Sequence, residues 1–126
     1  MSRMPYQYVV LRCVPSAERE EFINVGIVLR CQAADHLEAA FAVDRARLTA
    51  FAPNLDPEEL DAALQVVCDV AAGREGGGRP RLGDDGRRFG WLSAPRSTVV
   101  RPGPVHSGLT EDPAGEVQRL LDRLVR

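Results

Sequence analysis

Two stretches decide the fold: Tyr6-Gln7-Tyr8-Val9-Val10-Leu11-Arg12-Cys13-Val14 and Phe22-Ile23-Asn24-Val25-Gly26-Ile27-Val28-Leu29-Arg30-Cys31. Both are rich in β-branched and aromatic residues, which fit a pleated, half-buried surface, so both read as strands. Between them Pro15-Ser16-Ala17-Glu18-Arg19-Glu20-Glu21 is a polar connection, and an antiparallel hairpin is the simplest arrangement. A connection centred near Glu18 sets Arg12 opposite Asn24. Strict alternation then sorts the faces. Val9, Leu11 and Cys13 fall with Ile23, Val25, Ile27, Leu29 and Cys31 on a core face. Tyr6, Tyr8, Val10 and Arg12 fall with Asn24, Gly26, Val28 and Arg30 on a mixed one.

Working outward, Leu37 to Val43 reads as a third strand with Leu37, Ala39, Phe41 and Val43 on one side. Asp44 is placed to cap a short helix through Phe51. Asp56-Pro57-Glu58-Glu59 is a stronger helix start, with Asp at the cap and Pro at the first position, and Gly73 supplies the stop. From Gly73 to Gly90 the chain turns to Gly, Arg and Asp, which bury too little surface to offset ordering, so a mobile loop is expected at 73–90. Phe89, Trp91 and Leu92 return to the core. Ser97 to Arg101 reads as a fourth strand between Pro95 and Pro102. Asp112-Pro113 opens a final amphipathic helix through Val125. The expected fold is α+β, an antiparallel sheet of about three to four strands with two main helices packed on it, in one domain over 1–126.

A chain of 126 residues, 44% hydrophobic and 27% charged, is in the range of an ordinary globular domain. No apolar run nears the ~18 residues of a membrane span and no signal-peptide core is visible, so a cytoplasmic protein is expected, with no membrane partner. A net charge of -2 offers no global field for nucleic acid. All 16 basic residues are arginine. The absence of lysine excludes a P-loop lysine, a Schiff-base lysine and a kinase-type lysine. Cys13, Cys31 and Cys68 lack metal-ligand spacing and lie in apolar patterns, where a thiol packs as a small hydrophobe.

The densest polar grouping is the segment Ala94 to His106. Arg96, Ser97 and Thr98 offer a guanidinium fork and two hydroxyls, sound chemistry for holding an anion. His106 is the candidate acid or base. The same residues also suit plain structural roles: edge-strand hydroxyls, an ion pair to Asp112, a histidine on a carbonyl. Nucleophile-elbow, zinc-protease, C-x-x-C and Walker motifs are all missing. His36 and His106 are the only histidines, which excludes a multi-histidine metal site, so neither cofactor nor metal is expected. Whether the chain is an enzyme stays open.

Several motifs, in order, resemble a known family. They are Tyr6-Gln7-Tyr8-Val9-Val10-Leu11-Arg12, then Glu21 to Leu29, Arg88-Phe89-Gly90-Trp91-Leu92, Ala94 to Val100, and Pro104-Val105-His106-Ser107-Gly108-Leu109 with Asp112-Pro113. Together they resemble the bacterial family catalogued as domain of unknown function 3037, over nearly the whole chain. The resemblance singles out Arg12, Asn24, Arg96, Ser97, Thr98 and His106. It also implies a partner, because family members look like frequent neighbours of HipA-type serine/threonine kinase-like proteins. Two main expectations follow. One is an accessory or binding module that docks such a protein. The other is a small enzyme or ligand-binding protein for an anionic, phosphate- or carboxylate-bearing molecule, with Arg12 and Arg96 gripping it, Asn24 orienting it and His106 moving a proton. RNA contact through the Gly/Arg loop ranks last, since Glu75, Asp84 and Asp85 dilute its charge.

Overall fold

A computed structural model describes residues 2–126. The two opening runs form the antiparallel pair β1 (Met4–Cys13) and β2 (Ile23–Cys31), and β3 (His36–Phe41) adds to the free side of β2. Along the other edge of β1 lie β4 (Val100–Pro102) and β5 (His106–Thr110), both antiparallel to it. Gly103 N–H donates to the Val10 carbonyl at 2.8 Å and carries the ladder between them. The sheet thus has five strands where three to four were expected. The extra one is β5, whose polar His106, Ser107 and Thr110 give no strand-like apolar pattern.

Arg12 does stand opposite Asn24. Sorting the faces by strict alternation fails, however, because Leu11 pairs with Gly26 while Arg12 pairs with Asn24. Val25 is the extra residue of a β-bulge, and every β2 side chain beyond it changes face. Val28 therefore packs with Val9, Leu11, Cys13 and Val25. Ile27, Leu29 and Cys31 go to the other side with Tyr6, Tyr8 and Val10.

Both sides of the sheet are covered. Four α-helices are present, each with an aspartate at its N-cap: α1 (Arg45–Phe51), α2 (Pro57–Ala71), α3 (Asp85–Ser93) and α4 (Pro113–Leu124). In each, the Asp carboxylate accepts from a first-turn backbone N–H, satisfying a donor that the helix itself leaves unpaired. Leu60, Leu64, Val67 and Val70 of α2 and Phe89 and Leu92 of α3 pack on the first face. Val117, Leu120 and Leu121 of α4, with Val125, close the second over β2 and β3. Burying such a side chain is worth about 1.5–3 kcal/mol, so this helix is a principal source of stability for that side.

Helix α3 corrects the expectation of a loop through Gly90: the irregular connection ends at Asp84. That connection is tied to α2 by Asp69, a buried carboxylate that accepts from Arg74 Nη1 at 2.7 Å and Gln65 Nε2 at 3.0 Å and pairs with Arg79. Arg74 first, then Gln65 and Arg79, hold the Asp69 carboxyl below its ordinary range against the opposing effect of burial. No helix of the described residues is long and apolar enough to cross a membrane.

Candidate functional site

Helix α4 packs on β2 and β3 and leaves the β1, β4 and β5 part of the second face partly open. Along β1, Tyr8, Val10 and Arg12 are half-buried there. Arg12 is the centre of a row across three strands, with Asn24 of β2 on one side and Arg101 of β4 on the other. Its guanidinium lies 4.2 Å from the centroid of the Phe22 ring, a cation–π contact. On its other flank is Gly103, where an added Cβ would stand 3.2 Å from Cζ, Nε and Nη2 of Arg12. Held between ring and backbone, the Arg12 Nε is closed to solvent and has no hydrogen-bond partner. Arg101 donates through Nε to the Thr98 carbonyl at 3.0 Å. Among the described residues no carboxylate comes within 4.0 Å of either guanidinium.

Farther along the ladder His106 sits opposite Tyr8, and the two rings stack with centroids 5.2 Å apart and planes 29° from parallel. Tyr6 follows, its ring 6.0 Å from that of Tyr8, and its hydroxyl donates to Glu116 of α4 at 3.0 Å. Burial pushes the Tyr6 hydroxyl up, and the neighbouring Glu116 carboxylate adds to the shift. Burial also pushes Glu116 up, but hydrogen bonds from Arg119, Tyr6 and Thr110 outweigh it and leave the carboxyl below its usual range. This Tyr6–Glu116–Arg119 group docks α4 on the sheet.

The residues singled out from the sequence divide between two places. Arg12, Asn24 and His106 are on the α4 side. Asn24 has a structural task there, its Nδ2 donating to the Leu124 carbonyl at 3.0 Å at the end of α4. Arg96 belongs to the opposite side, its guanidinium 4.0 Å over the Trp91 ring of α3 and bonded to the Trp91 carbonyl. Thr98 spends its hydroxyl on the Val100 carbonyl at 2.7 Å, and Ser97 is exposed. Arg12, Asn24, Arg96 and His106 therefore do not converge on one small ligand. Among the described residues no three His, Cys, Asp or Glu side chains gather closely enough to share a metal ion.

Arg101 and Phe22 are the members of the open face that sequence reasoning passed over. Arg101 reads in the sequence only as the end of the Ser97–Arg101 strand, and its position across from Arg12 depends on a pairing no local pattern encodes. Phe22, 43% exposed, looked like the apolar start of a strand.

Compared with known proteins, residues 8–125 match a family model described as "Protein of unknown function (DUF3037)". No curated protein and no solved structure matches the chain.

Proposed function

The chain belongs to the DUF3037 family, and from that premise we propose that it is a binding module that docks an acidic protein surface on the open half of its sheet. The observation that carries this reading is the Arg12–Arg101 pair, two arginines at directly opposite positions of the β1–β4 ladder with, among the described residues, no carboxylate within 4.0 Å of either guanidinium. Like charges so placed weaken a sheet by about 0.2–1 kcal/mol. An incoming carboxylate or phosphate neutralises them and meets arginine forks suited to bidentate contact. Arg12, already held by Phe22 and Gly103, has little freedom left to lose on binding. Exposed Phe22 and the stacked Tyr8 and His106 add aromatic contact area, and aromatic and arginine side chains are the usual anchors of interfaces.

Spacing favours a macromolecular partner over a small metabolite. Tyr8 and Arg12 are four residues apart on β1, about 13 Å at ~3.3 Å per residue, so His106 and the arginine pair suit an extended surface. A HipA-type kinase-like protein, implied by the family's genomic neighbours, is the first partner to try. Co-expression and size-exclusion chromatography test the proposal. Co-elution at micromolar concentration, lost in Arg12→Gln/Arg101→Gln, is the expected result, and separate elution of the wild-type proteins counts against it. A small anionic molecule is the second reading, favoured by the same unneutralised pair. Inorganic phosphate that binds saturably without any protein partner would put it first.

A further inference from the structure

Trp91 and Arg96 lie away from the docking face just described. Between α2, the end of α3 and β4 a groove of about 480 Å³ opens, walled by Ala63, Val66, Val67, Pro95 and Val100. That is a volume typical of small-ligand sites, which run to roughly 300–1,000 Å³. Arg96 is the one charged residue that lines it. A guanidinium has five N–H donors. Here Nη2 donates to the Trp91 carbonyl, while Nε is shut off from solvent with no partner. Among the described residues no carboxylate lies within 4.0 Å, and burial lowers the pKa of the group. The fold has partly desolvated a cation beside an apolar groove and left it without an anion. The Trp91 ring and carbonyl offset part of that cost, and an anion that reaches the remaining N–H donors would offset more of it.

We infer that this groove binds an apolar monocarboxylate, such as a medium-chain aliphatic acid, with its carboxylate on Arg96 and its hydrocarbon part along Val66, Val67, Val100 and the Trp91 ring. One cation among apolar walls matches one negative charge on an apolar body. A sugar phosphate would need further donors, and the one hydroxyl lining the groove, that of Thr98, is engaged with the Val100 carbonyl. The site shares no residue with the Arg12–Arg101 face, so either can fail without the other.

Trp91 is the single tryptophan of the chain, and its fluorescence therefore reports on this groove alone. The full chain is titrated with octanoate, octan-1-ol and acetate. Octanoate is expected to change the emission saturably, with a midpoint at least about ten-fold lower than octan-1-ol, the worth of a hydrogen bond to a charged group. Acetate, lacking the hydrocarbon part, should do nothing in the same range. Arg96→Gln should raise the octanoate midpoint about ten-fold and leave octan-1-ol unchanged. Ala63→Phe, which fills the groove and keeps Arg96, should abolish both responses with the circular dichroism unaltered, and it decides the matter should Arg96→Gln not fold. Equal midpoints for acid and alcohol, an octanoate response that survives Ala63→Phe, or no saturation by about 10 mM would overturn the inference.

Discussion

Replacing Gly26 with alanine would place a Cβ 2.8 Å from the Ala40 carbonyl oxygen, 3.0 Å from Leu11 Cδ1 and 3.3 Å from Phe41 Cβ. The closest of these atoms is backbone in the neighbouring strand, so β2 and β3 must part locally, next to the bulge that sets the faces of the sheet. Overpacking of this kind costs about 1–3 kcal/mol, and a weakened ladder hydrogen bond adds about 1 kcal/mol. Against this stands about 0.4–1 kcal/mol from stiffening the unfolded chain. The net is a loss of about 2 kcal/mol, a large part of the ~5–15 kcal/mol that holds a typical domain. Gly90→Ala is the same chemical change with the opposite sign. Gly90 lies exposed inside α3, a Cβ there meets nothing within 4 Å, and alanine in a helix gains about 0.5–1 kcal/mol over glycine. Urea unfolding followed by circular dichroism measures both. The Gly26→Ala midpoint should drop by about 1 M and that of Gly90→Ala should rise by a few tenths. Wild-type stability in Gly26→Ala would refute the close approach of β3, and loss of stability in Gly90→Ala would refute the helix.

Acid titration of stability probes Asp69. Its folded carboxyl titrates below the unfolded value of ~3.9, so its contribution is complete above that value and is lost as the pH falls through the folded one. Urea midpoints measured downward from about pH 5 should fall below about pH 4, and the fall should be smaller in Asp69→Asn. Arg101→Gln removes the like charge opposite Arg12, worth about 0.2–1 kcal/mol, together with the hydrogen bond to the Thr98 carbonyl, so the charge effect is read from its salt dependence. Thermal melting should show the stability of Arg101→Gln relative to wild type falling as salt rises, and a difference that does not change with salt would mean that the two charges do not oppose each other.

The β1–β2 hairpin, its Arg12–Asn24 register and the capped helices α1, α2 and α4 were legible because each leaves a local mark: β-rich runs, the length of the connection, an aspartate before a helix. The bulge leaves none. One extra residue at Val25 moves Ile27, Leu29 and Cys31 to the other face, and a strict period of two cannot see it. One hint was available, since Val25-Gly26-Ile27-Val28-Leu29 has no polar residue, as befits a strand covered on both sides. Helix α3 was hidden by its glycines and arginines, though Asp84 before Phe89 and Leu92 marks a cap and one apolar side. The Arg12–Arg101 pair joins residues almost ninety positions apart through the β1–β4 ladder, which no local pattern encodes.

The claim that this pair anchors an acidic partner can be put directly to the arginine side chains. The Nε–H of Arg12 is closed to solvent and that of Arg101 is bonded to the Thr98 carbonyl, so both protons should exchange slowly enough to observe by NMR. Titration with a glutamate-rich peptide at physiological salt should move these two signals together and saturably, and Arg101→Gln should weaken the response at Arg12. Shifts spread evenly and without saturation over the chain's exposed arginines, with Arg12 and Arg101 unmoved, would contradict it.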